Sequence, residues 1–104
     1  MTPSQKPSNP YETAAFAAEL GAETPEVDLH GMDVHDALQA LEHAIDQAIY
    51  HNEEAIRVIH GRGTGKLRDA IHAYLKAHPE QVGTFRDSQA PGQQGGVTIV
   101  VLRA

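Results

Sequence analysis

The chain has 104 residues, 40% of them hydrophobic, and a net charge of −6 at neutral pH. This length supplies one hydrophobic core, so we expect a single compact domain with a tail. The absence of cysteine excludes disulfides and thiolate metal sites. No apolar run approaches the roughly 20 residues that span a bilayer, and the N-terminus lacks the basic-then-apolar order of a signal peptide. We therefore expect a soluble, cytoplasmic, monomeric protein with no membrane association.

The charge is unevenly distributed along the chain. Residues 1–56 contain one basic residue against eleven acidic ones, whereas residues 57–104 contain seven basic residues against three acidic ones. Four basic side chains fall within twelve residues that include no acid, namely Arg57, Arg62, Lys66 and Arg68. This clustering predicts a local anion-binding site in the second half of the chain despite the acidic total.

Residues 1–25 are predicted to be a flexible or partly helical N-terminal extension of a domain at 26–104. The extension contains four prolines among Ser, Thr, Asn and Gln, a composition that buries too little apolar surface to fold alone. Residues 11–20 are alanine-rich, and Phe16 and Leu20 stand four apart, which allows a short helix docked on the domain. The sequence leaves the choice between helix and flexible tail open.

The first half of the domain contains a short strand and the clearest helix. Residues 27–30 are predicted to form the strand. Asp33 can then cap a helix that runs to residue 52. Apolar side chains recur along this helix at helical spacing: Val34, Leu38, Leu41, Ile45, Ala48 and Ile49.

The second half contains three more strands and a second helix. A largely apolar strand at 55–60 leads through a glycine-rich loop into a helix at about 65–77, which Pro79 ends. Residues 82–88 mix polar and apolar side chains as an edge strand does. Residues 97–102 are apolar on both faces, which predicts a central strand, and a glycine-rich hairpin loop at 89–96 joins the two.

The resulting order, β-α-β-α-β-β, predicts an α/β fold of the α+β type, a two-layer sandwich with a mixed four-stranded sheet. Right-handed crossovers place both helices on one face of the sheet. A gap left for the apolar last strand gives the strand order 1-2-4-3, with the last strand antiparallel to the others. His30 and His60 then end adjacent parallel strands about 5 Å apart. Gly95, Gly96 and Thr98 begin the last strand at the same end of the sheet.

The segment Asp28-Leu29-His30-Gly31 ends the first strand. The two-residue alternation of a strand puts Asp28 and His30 on one face. A carboxylate two residues from an imidazole can orient it and raise its basicity, which suits a general base or acid near neutral pH. The alternative is that Asp28 caps a turn or pairs with Arg57 while His30 bonds a loop carbonyl, because this tripeptide is common.

The segment 60–68, His-Gly-Arg-Gly-Thr-Gly-Lys-Leu-Arg, is more specific. Three alternating glycines let the backbone approach a ligand closely, and the N-terminus of the following helix presents unpaired N–H groups that favour a phosphate. The spacing is not that of a P-loop, since His60 stands at its first glycine position and Leu67 at its Ser/Thr position. The dinucleotide fingerprint is excluded because Lys66 occupies its last glycine position. The alternative interpretation is a tight turn with solvated charges.

The other histidines carry no predicted function. His35 and His43 are two turns apart on one helix, and the remaining three have no partner at ligand spacing: His51, His72 and His78. Without cysteine and without a His-x-x-x-His pair, we expect no metal ligands and no preformed zinc site.

Together with Gly95-Gly96-Val97-Thr98-x-Val100, the two histidine-glycine segments resemble the three signature segments of the Smr (small MutS-related) domain, over about residues 26–103. The resemblance implies a two-layer fold similar to the C-terminal domain of translation initiation factor three. Smr domains occur at the C-terminus of MutS-like ATPases or as small stand-alone proteins. Because the chain contains no ATPase segment and starts at Met1 with its own tail, we expect the stand-alone type.

The resemblance also implies structure-selective binding of branched DNA or structured RNA and, in many members, endonuclease activity. Such activity is known as nicking of DNA and as cleavage of RNA at stalled ribosomes, which associates the family with DNA repair and ribosome rescue. The residues that match the family motifs are Asp28, His30, His60, Gly61, Gly63, Arg68 and, more weakly, Thr98. Val27 stands where Leu is commoner, a conservative change.

We therefore predict a phosphodiester-cleaving endonuclease. The predicted catalytic residues are His30 as general base or acid, Asp28 as its orienting partner, and His60. The predicted phosphate contacts are Gly61, Arg62, Gly63, Thr64, Gly65, Lys66, Arg68 and Thr98. An RNA substrate needs no cofactor because its own 2′-hydroxyl attacks, whereas DNA needs an attacking water and favours a divalent cation such as Mg²⁺ or Mn²⁺ near Asp28.

Two other classes of function fit the sequence less well. The first is a non-catalytic module that recognises DNA, RNA or a ribosomal surface through phosphate contacts, with the histidines as hydrogen-bond donors. The second is a protein-interaction domain that uses the acidic helix at 33–52.

Overall fold

The computed structural model describes residues 10–20 and 23–103, and this part of the chain forms three helices and four strands. In chain order the elements are α1 (Pro10–Glu19), β1 (Glu26–Asp28), α2 (Val34–Tyr50), β2 (Ala55–Ile59), α3 (Lys66–Lys76), β3 (Val82–Asp87) and β4 (Val97–Leu102). From β1 onwards each element lies within two residues of its predicted bounds. None of the described helices is long and apolar enough to cross a bilayer.

The four strands form one mixed sheet in the order β1-β2-β4-β3. β1 runs parallel to β2, and β4 runs antiparallel to both β2 and β3. The predicted order and directions are confirmed. All six residues of β4 are buried, as expected for a strand that is apolar on both faces and has a neighbour on each side.

Helices α2 and α3 pack on the same face of the sheet, as predicted. The Asp33 side chain caps α2 by accepting a hydrogen bond of 2.9 Å from the Asp36 N–H. The helix ends at Tyr50 because Asn52 adopts a left-handed conformation, φ +59°, which reverses the chain. The N–H of Glu53 donates to the Ala48 carbonyl across this turn, which is a Schellman motif. Helix α2 is thus two residues shorter than predicted.

The main core lies between these two helices and the sheet. Its fully buried side chains are large and aliphatic, and burial of each contributes roughly 1.5–3 kcal/mol to the free energy of unfolding. They include Leu29, Leu41, Ile45, Ile56, Val58, Ile71, Leu75 and Val100. The predicted apolar stripe of α2 supplies part of this core, but its last member, Ile49, is 37% exposed.

Helix α1 packs on the opposite face of the sheet, against alternate side chains of β4. Ala15 and Ala18 are buried in this contact, whereas Phe16 and Leu20 are 58% and 70% exposed. The helix is therefore docked by its small residues and not by the Phe16–Leu20 pair that the sequence spacing suggested. The two-layer sandwich predicted for the domain gains a partial third layer.

Three polar contacts fix α1 in place. The buried Glu19 carboxylate forms an ion pair with Arg86 of β3 and accepts a hydrogen bond of 2.8 Å from the Gln89 N–H. The Arg57 guanidinium of β2 donates to the Ala18 carbonyl at 2.9 Å. The helical part of the extension is thus tied to two strands and to the β3–β4 loop.

The predicted convergence of three segments at the end of the sheet is confirmed. The N–H groups of His60 and Gly61 both donate to the Gly96 carbonyl at 3.0 Å. However, Asp28 pairs with Ile59 in the β1–β2 register, which places His30 level with Gly61 and not with His60. Because side chains alternate along a strand, this offset of one residue puts the two histidines on opposite faces of the sheet.

Candidate nucleic-acid site

A cleft of about 570 Å³ lies beyond the carboxyl ends of β1 and β2. One wall is the turn that follows His30, formed by Gly31, Met32 and Asp33. The other wall is the segment 60–68. It consists of residues 60–65, which we call the glycine loop, and the first turn of α3. The cleft thus occupies the end of the sheet at which open α/β sheets bind ligands.

All three glycines of the loop have a positive φ: Gly61 at +76°, Gly63 at +39° and Gly65 at +90°. Residues with a side chain rarely adopt this conformation, so the alternation of glycines in the sequence has a backbone cause. No protein atom lies within 4 Å of the position that a Cβ would take on Gly63 or Gly65. The space beside these two glycines is therefore open to a ligand.

Two helices begin at the cleft, and their N-termini differ. The N–H groups of α2 are partly satisfied by its Asp33 cap, whose negative charge also disfavours an anion there. Helix α3 begins after Gly65, which supplies no side-chain hydrogen bond, although Thr64 Oγ1 accepts weakly from the Lys66 N–H at 3.3 Å. The first-turn N–H groups and partial positive charge of α3 are thus the open anion-binding element.

The four clustered basic residues have separate environments. Arg57 lies away from the cleft and pairs with Glu26, which rules out the alternative Asp28–Arg57 pair. Arg62 donates to the carbonyls of Gln94 at 2.9 Å and Gly92 at 3.4 Å, so it fastens the glycine loop to the β3–β4 loop. Lys66 is exposed and forms none of the ion pairs found within 10–20 and 23–103.

Arg68, predicted as a phosphate contact, is held by carboxylates. Its guanidinium forms two hydrogen bonds with Asp87, of 2.6 and 3.2 Å, and a third with Asp69. This pairing lowers the pKa of Asp87 and raises that of Arg68. Arg68 borders the cleft, but Asp87 neutralises much of its charge.

Asp28 and His30 form a close pair next to Gly61, and neither is among the residues that line the cleft. Asp28 Oδ1 lies 2.6 Å from His30 Nδ1 and also accepts the His30 backbone N–H at 3.1 Å. A carboxylate only accepts, so Nδ1 carries the proton and the neutral ring presents the lone pair of Nε2. The side chains are 53% and 67% exposed, and Nε2 makes no hydrogen bond to the described residues.

The hydrogen bond between the two side chains lowers the pKa of Asp28 and raises that of His30 above the usual histidine value of 6.5. His30 is also next to the glycine loop, because a Cβ built on Gly61 would lie 3.3 Å from its Cβ. An oriented, basic imidazole therefore stands beside the start of the glycine loop.

His60 belongs to a second, buried cluster on the other face of the sheet. Its Nε2 lies 2.9 Å from Thr98 Oγ1, and His72 Nε2 of α3 lies 2.9 Å from the same oxygen. Asp87 Oδ1 is 3.4 Å from His72 Nε2. The Phe85 ring packs edge-on against His72, and His60 is only 4% exposed.

The direction of each hydrogen bond in this cluster follows from the bond between His60 and the Gly61 carbonyl. His60 Nδ1 lies 2.9 Å from the Gly61 carbonyl, which only accepts, so Nδ1 donates and Nε2 is left to accept from Thr98 Oγ1. The single Thr98 proton then points to His60, and Thr98 accepts from the N–H of His72. Burial, with the Arg68 charge, lowers the pKa of His72 and keeps that ring neutral. The chain of bonds holds the start of the glycine loop through Gly61.

This cluster bears on several predictions. His60 lines the cleft but has both ring nitrogens bonded within the protein, and Thr98 is fully buried. Their catalytic and phosphate-binding roles stay predictions. The prediction that His72 has no ligand-type partner is wrong. Sequence reasoning missed His72 and Asp87 because their partners lie in distant segments. The only signal for them in the sequence is a polar residue at a position where a core side chain would ordinarily be apolar.

Comparison with known proteins agrees with this geometry. The family model for the Smr domain matches residues 27–103. The chain belongs to the Smr domain family. It is 42% identical over 79 residues to Endonuclease MutS2 of Thermomicrobium roseum and 40% identical to that of Staphylococcus carnosus. These matches cover 75% of this chain but only 10% of each relative, so the chain spans about a tenth of their length.

Solved structures show the same fold. The Smr domain of Thermus thermophilus MutS2 superimposes with a TM-score of 0.75 at 37% identity, covering 78% of this chain and 100% of that domain. The Smr domain of NEDD4-binding protein 2 gives a TM-score of 0.56 at 26% identity, covering 78% of this chain and 88% of that one. Helix α1 lies outside the residues that the family model matches.

Proposed function

We propose that this Smr domain binds nucleic acid at the cleft and cleaves a phosphodiester bond there. The observation that carries the proposal is the exposed Asp28–His30 pair, joined at 2.6 Å and adjacent to the glycine loop. A structural aspartate-histidine pair needs no such exposure, and an imidazole whose outer nitrogen faces solvent is suited to proton transfer.

Substrate binding uses the N-terminus of α3. A phosphate fits beside Gly63 and Gly65, where the absent side chains leave the first-turn N–H groups accessible. Lys66 adds a full positive charge, and Arg62 adds part of one while it holds the β3–β4 loop. These groups also stabilise the extra negative charge that the phosphorus acquires in the transition state.

His30 acts as the general base. Its Nε2 accepts the proton of the attacking hydroxyl, while Asp28 holds the ring and stabilises the imidazolium that forms. With RNA, the 2′-oxygen bonds to the adjacent phosphorus, the bond from phosphorus to the 5′-oxygen breaks, and this oxygen takes a proton from water, so no metal is needed. With DNA, the oxygen of a water bonds to phosphorus as the bond to the leaving sugar oxygen breaks, and a divalent cation held near Asp28 would stabilise the charge of the phosphate.

The relatives support this assignment. The matched proteins of Thermomicrobium roseum and Staphylococcus carnosus are named endonucleases, and the similarity falls on their Smr segment. We propose DNA or RNA as the partner and the cytoplasm as the compartment. The alternative of a non-catalytic binding module shares the same cleft and differs only at His30.

A cleavage assay separates the two. Supercoiled DNA and structured RNA are each incubated with the wild-type protein, with and without EDTA, beside His30→Ala and the exposed α2 control His43→Ala. We expect His30→Ala to lose about 10²- to 10⁴-fold in cleavage rate while keeping affinity and melting temperature, and His43→Ala to match the wild type. A folded His30→Ala protein that cleaves normally would contradict the mechanism. Binding without any cleavage by the wild type would support the binding module.

A further inference from the structure

Three metal-ligating side chains meet in the buried cluster. His60 Nε2, His72 Nε2 and Asp87 Oδ1 all lie within 4.8 Å of one another. The three residues come from separate elements, the end of β2, the middle of α3 and the end of β3. Nothing in the Asp28–His30 mechanism uses them, and they lie on the other face of the sheet.

Two of the three ligand residues, His60 and Asp87, are already oriented by a further contact. The His60 Nδ1–H donates to the Gly61 carbonyl at 2.9 Å, which leaves Nε2 as the lone-pair nitrogen. Arg68 holds both carboxylate oxygens of Asp87, Oδ2 at 2.6 Å and Oδ1 at 3.2 Å, and Oδ1 also lies 3.4 Å from His72 Nε2. Outer contacts of this kind, to a carbonyl and to a ligating carboxylate, are typical of metal sites.

We propose that His60, His72 and Asp87 form a binding site for a transition-metal ion of the Zn²⁺ class. Two imidazole nitrogens and one carboxylate oxygen suit Zn²⁺ and Co²⁺, whereas Mg²⁺ and Ca²⁺ prefer all-oxygen sites. Tetrahedral coordination with bonds of about 2.0–2.2 Å requires donor atoms about 3.4 Å apart. The His72–Asp87 pair has this spacing, and His60 Nε2 lies within 4.8 Å of both.

Binding exchanges one set of contacts for another. Thr98 Oγ1 bridges the two imidazoles at 2.9 Å each, and the ion replaces these hydrogen bonds with metal–nitrogen bonds. The His72 proton moves from Nε2 to Nδ1. A water takes the fourth position on the open side, where Asp87 is 31% exposed. The ion joins two strands and a helix and fixes the glycine loop through His60.

The site is tested by Co²⁺ binding to the full chain after removal of any affinity tag and of metal by EDTA and dialysis. We expect one Co²⁺ per chain with the visible absorption bands of a tetrahedral ion, displacement of Co²⁺ by Zn²⁺, and a melting temperature that rises with Zn²⁺ but not with Mg²⁺. His72→Gln should weaken Co²⁺ binding by at least about 10- to 100-fold.

Two further variants complete the test. His43→Gln changes an exposed histidine of α2 and should bind Co²⁺ like the wild type. Asp87→Asn removes a ligand with little change of shape and replaces His72→Gln if circular dichroism shows the latter to be unfolded. Absence of Co²⁺ binding by the folded wild type, or equal binding by the wild type and both ligand variants, would overturn the proposal. Because the readout is metal binding, the result is independent of any cleavage activity.

Discussion

The two histidine clusters at the end of the sheet contain the same residue types and have opposite properties. In the exposed cluster, a carboxylate raises the pKa of His30. In the buried cluster, burial lowers the pKa of His72 although Asp87 is near. The difference follows from the register of β1 and β2, in which His30 and His60 are offset by one residue. Because side chains alternate along a strand, the two histidines point to opposite faces of the sheet. The proton transfer that we propose uses the exposed cluster, whereas the buried cluster holds the start of the glycine loop.

The largest effect on stability is expected for Thr98→Val, which removes the oxygen shared by both imidazoles. His60 Nε2 then loses its buried partner, at a cost of about 1–3 kcal/mol in the free energy of unfolding. For a domain of this size the melting temperature falls by roughly 4–8 °C per kcal/mol. Thermal denaturation in EDTA measures the loss, and the exposed Thr84→Val is the control, expected within about 0.5 kcal/mol of the wild type. Equal melting of the two variants would mean that the cluster contributes nothing to stability.

The next comparison is between two glycines with the same backbone constraint. Gly63 in the cleft and Gly92 in the β3–β4 loop both have a positive φ, and neither has an atom within 4 Å of its Cβ position. Alanine at either site should cost about 1–2 kcal/mol of stability. Only Gly63→Ala should also weaken nucleic-acid binding, because its methyl group occupies the phosphate position. Equal affinities of the two variants for nucleic acid, measured at a temperature where both are folded, would contradict a phosphate contact at Gly63.

A smaller effect concerns the two lysines at the ends of α3. Lys66 borders the cleft and Lys76 lies in the last turn. Lys66→Ala should reduce the slope of log K against log salt for duplex DNA by about 0.9, the value for one phosphate contact. Lys76→Ala should leave the slope unchanged, and Arg62→Ala should change it less than Lys66→Ala because its guanidinium is bound to loop carbonyls. A slope that falls with Lys76→Ala and not with Lys66→Ala would place the DNA contacts outside the cleft.

The fold was largely predictable because its elements have distinct apolar patterns. The five apolar residues of β4 require a central strand, and the helical stripe of α2 requires a helix on one face. Helix α1 was harder, since its contact uses Ala15 and Ala18 and leaves Phe16 exposed. Alanine is only weakly apolar, so its spacing predicts a buried face less clearly than that of larger side chains. Whether a helix packs closely through its alanines depends on the surface of the sheet that it contacts.

The site was predictable where its parts are neighbours in sequence. Asp28 and His30 lie two residues apart, so strand alternation alone brings them together. The buried cluster joins residues 60, 72, 87 and 98, and their meeting depends on the register of two strand pairs, β2–β4 and β3–β4, and on the rotation of α3. A single sequence does not determine these, which is why His72 and Asp87 were missed.

The pH dependence of kcat/KM for cleavage tests the role of the exposed pair most directly, because the acidic limb reports the pKa of the base in the free enzyme. His30 acts in its neutral form and its pKa is raised, so the wild-type rate should fall with decreasing pH through an apparent pKa above 6.5. Asp28→Asn removes the carboxylate, so the limb should move to lower pH while the plateau falls. An acidic limb that is identical in the wild type and in Asp28→Asn would contradict the assignment of His30 as the base.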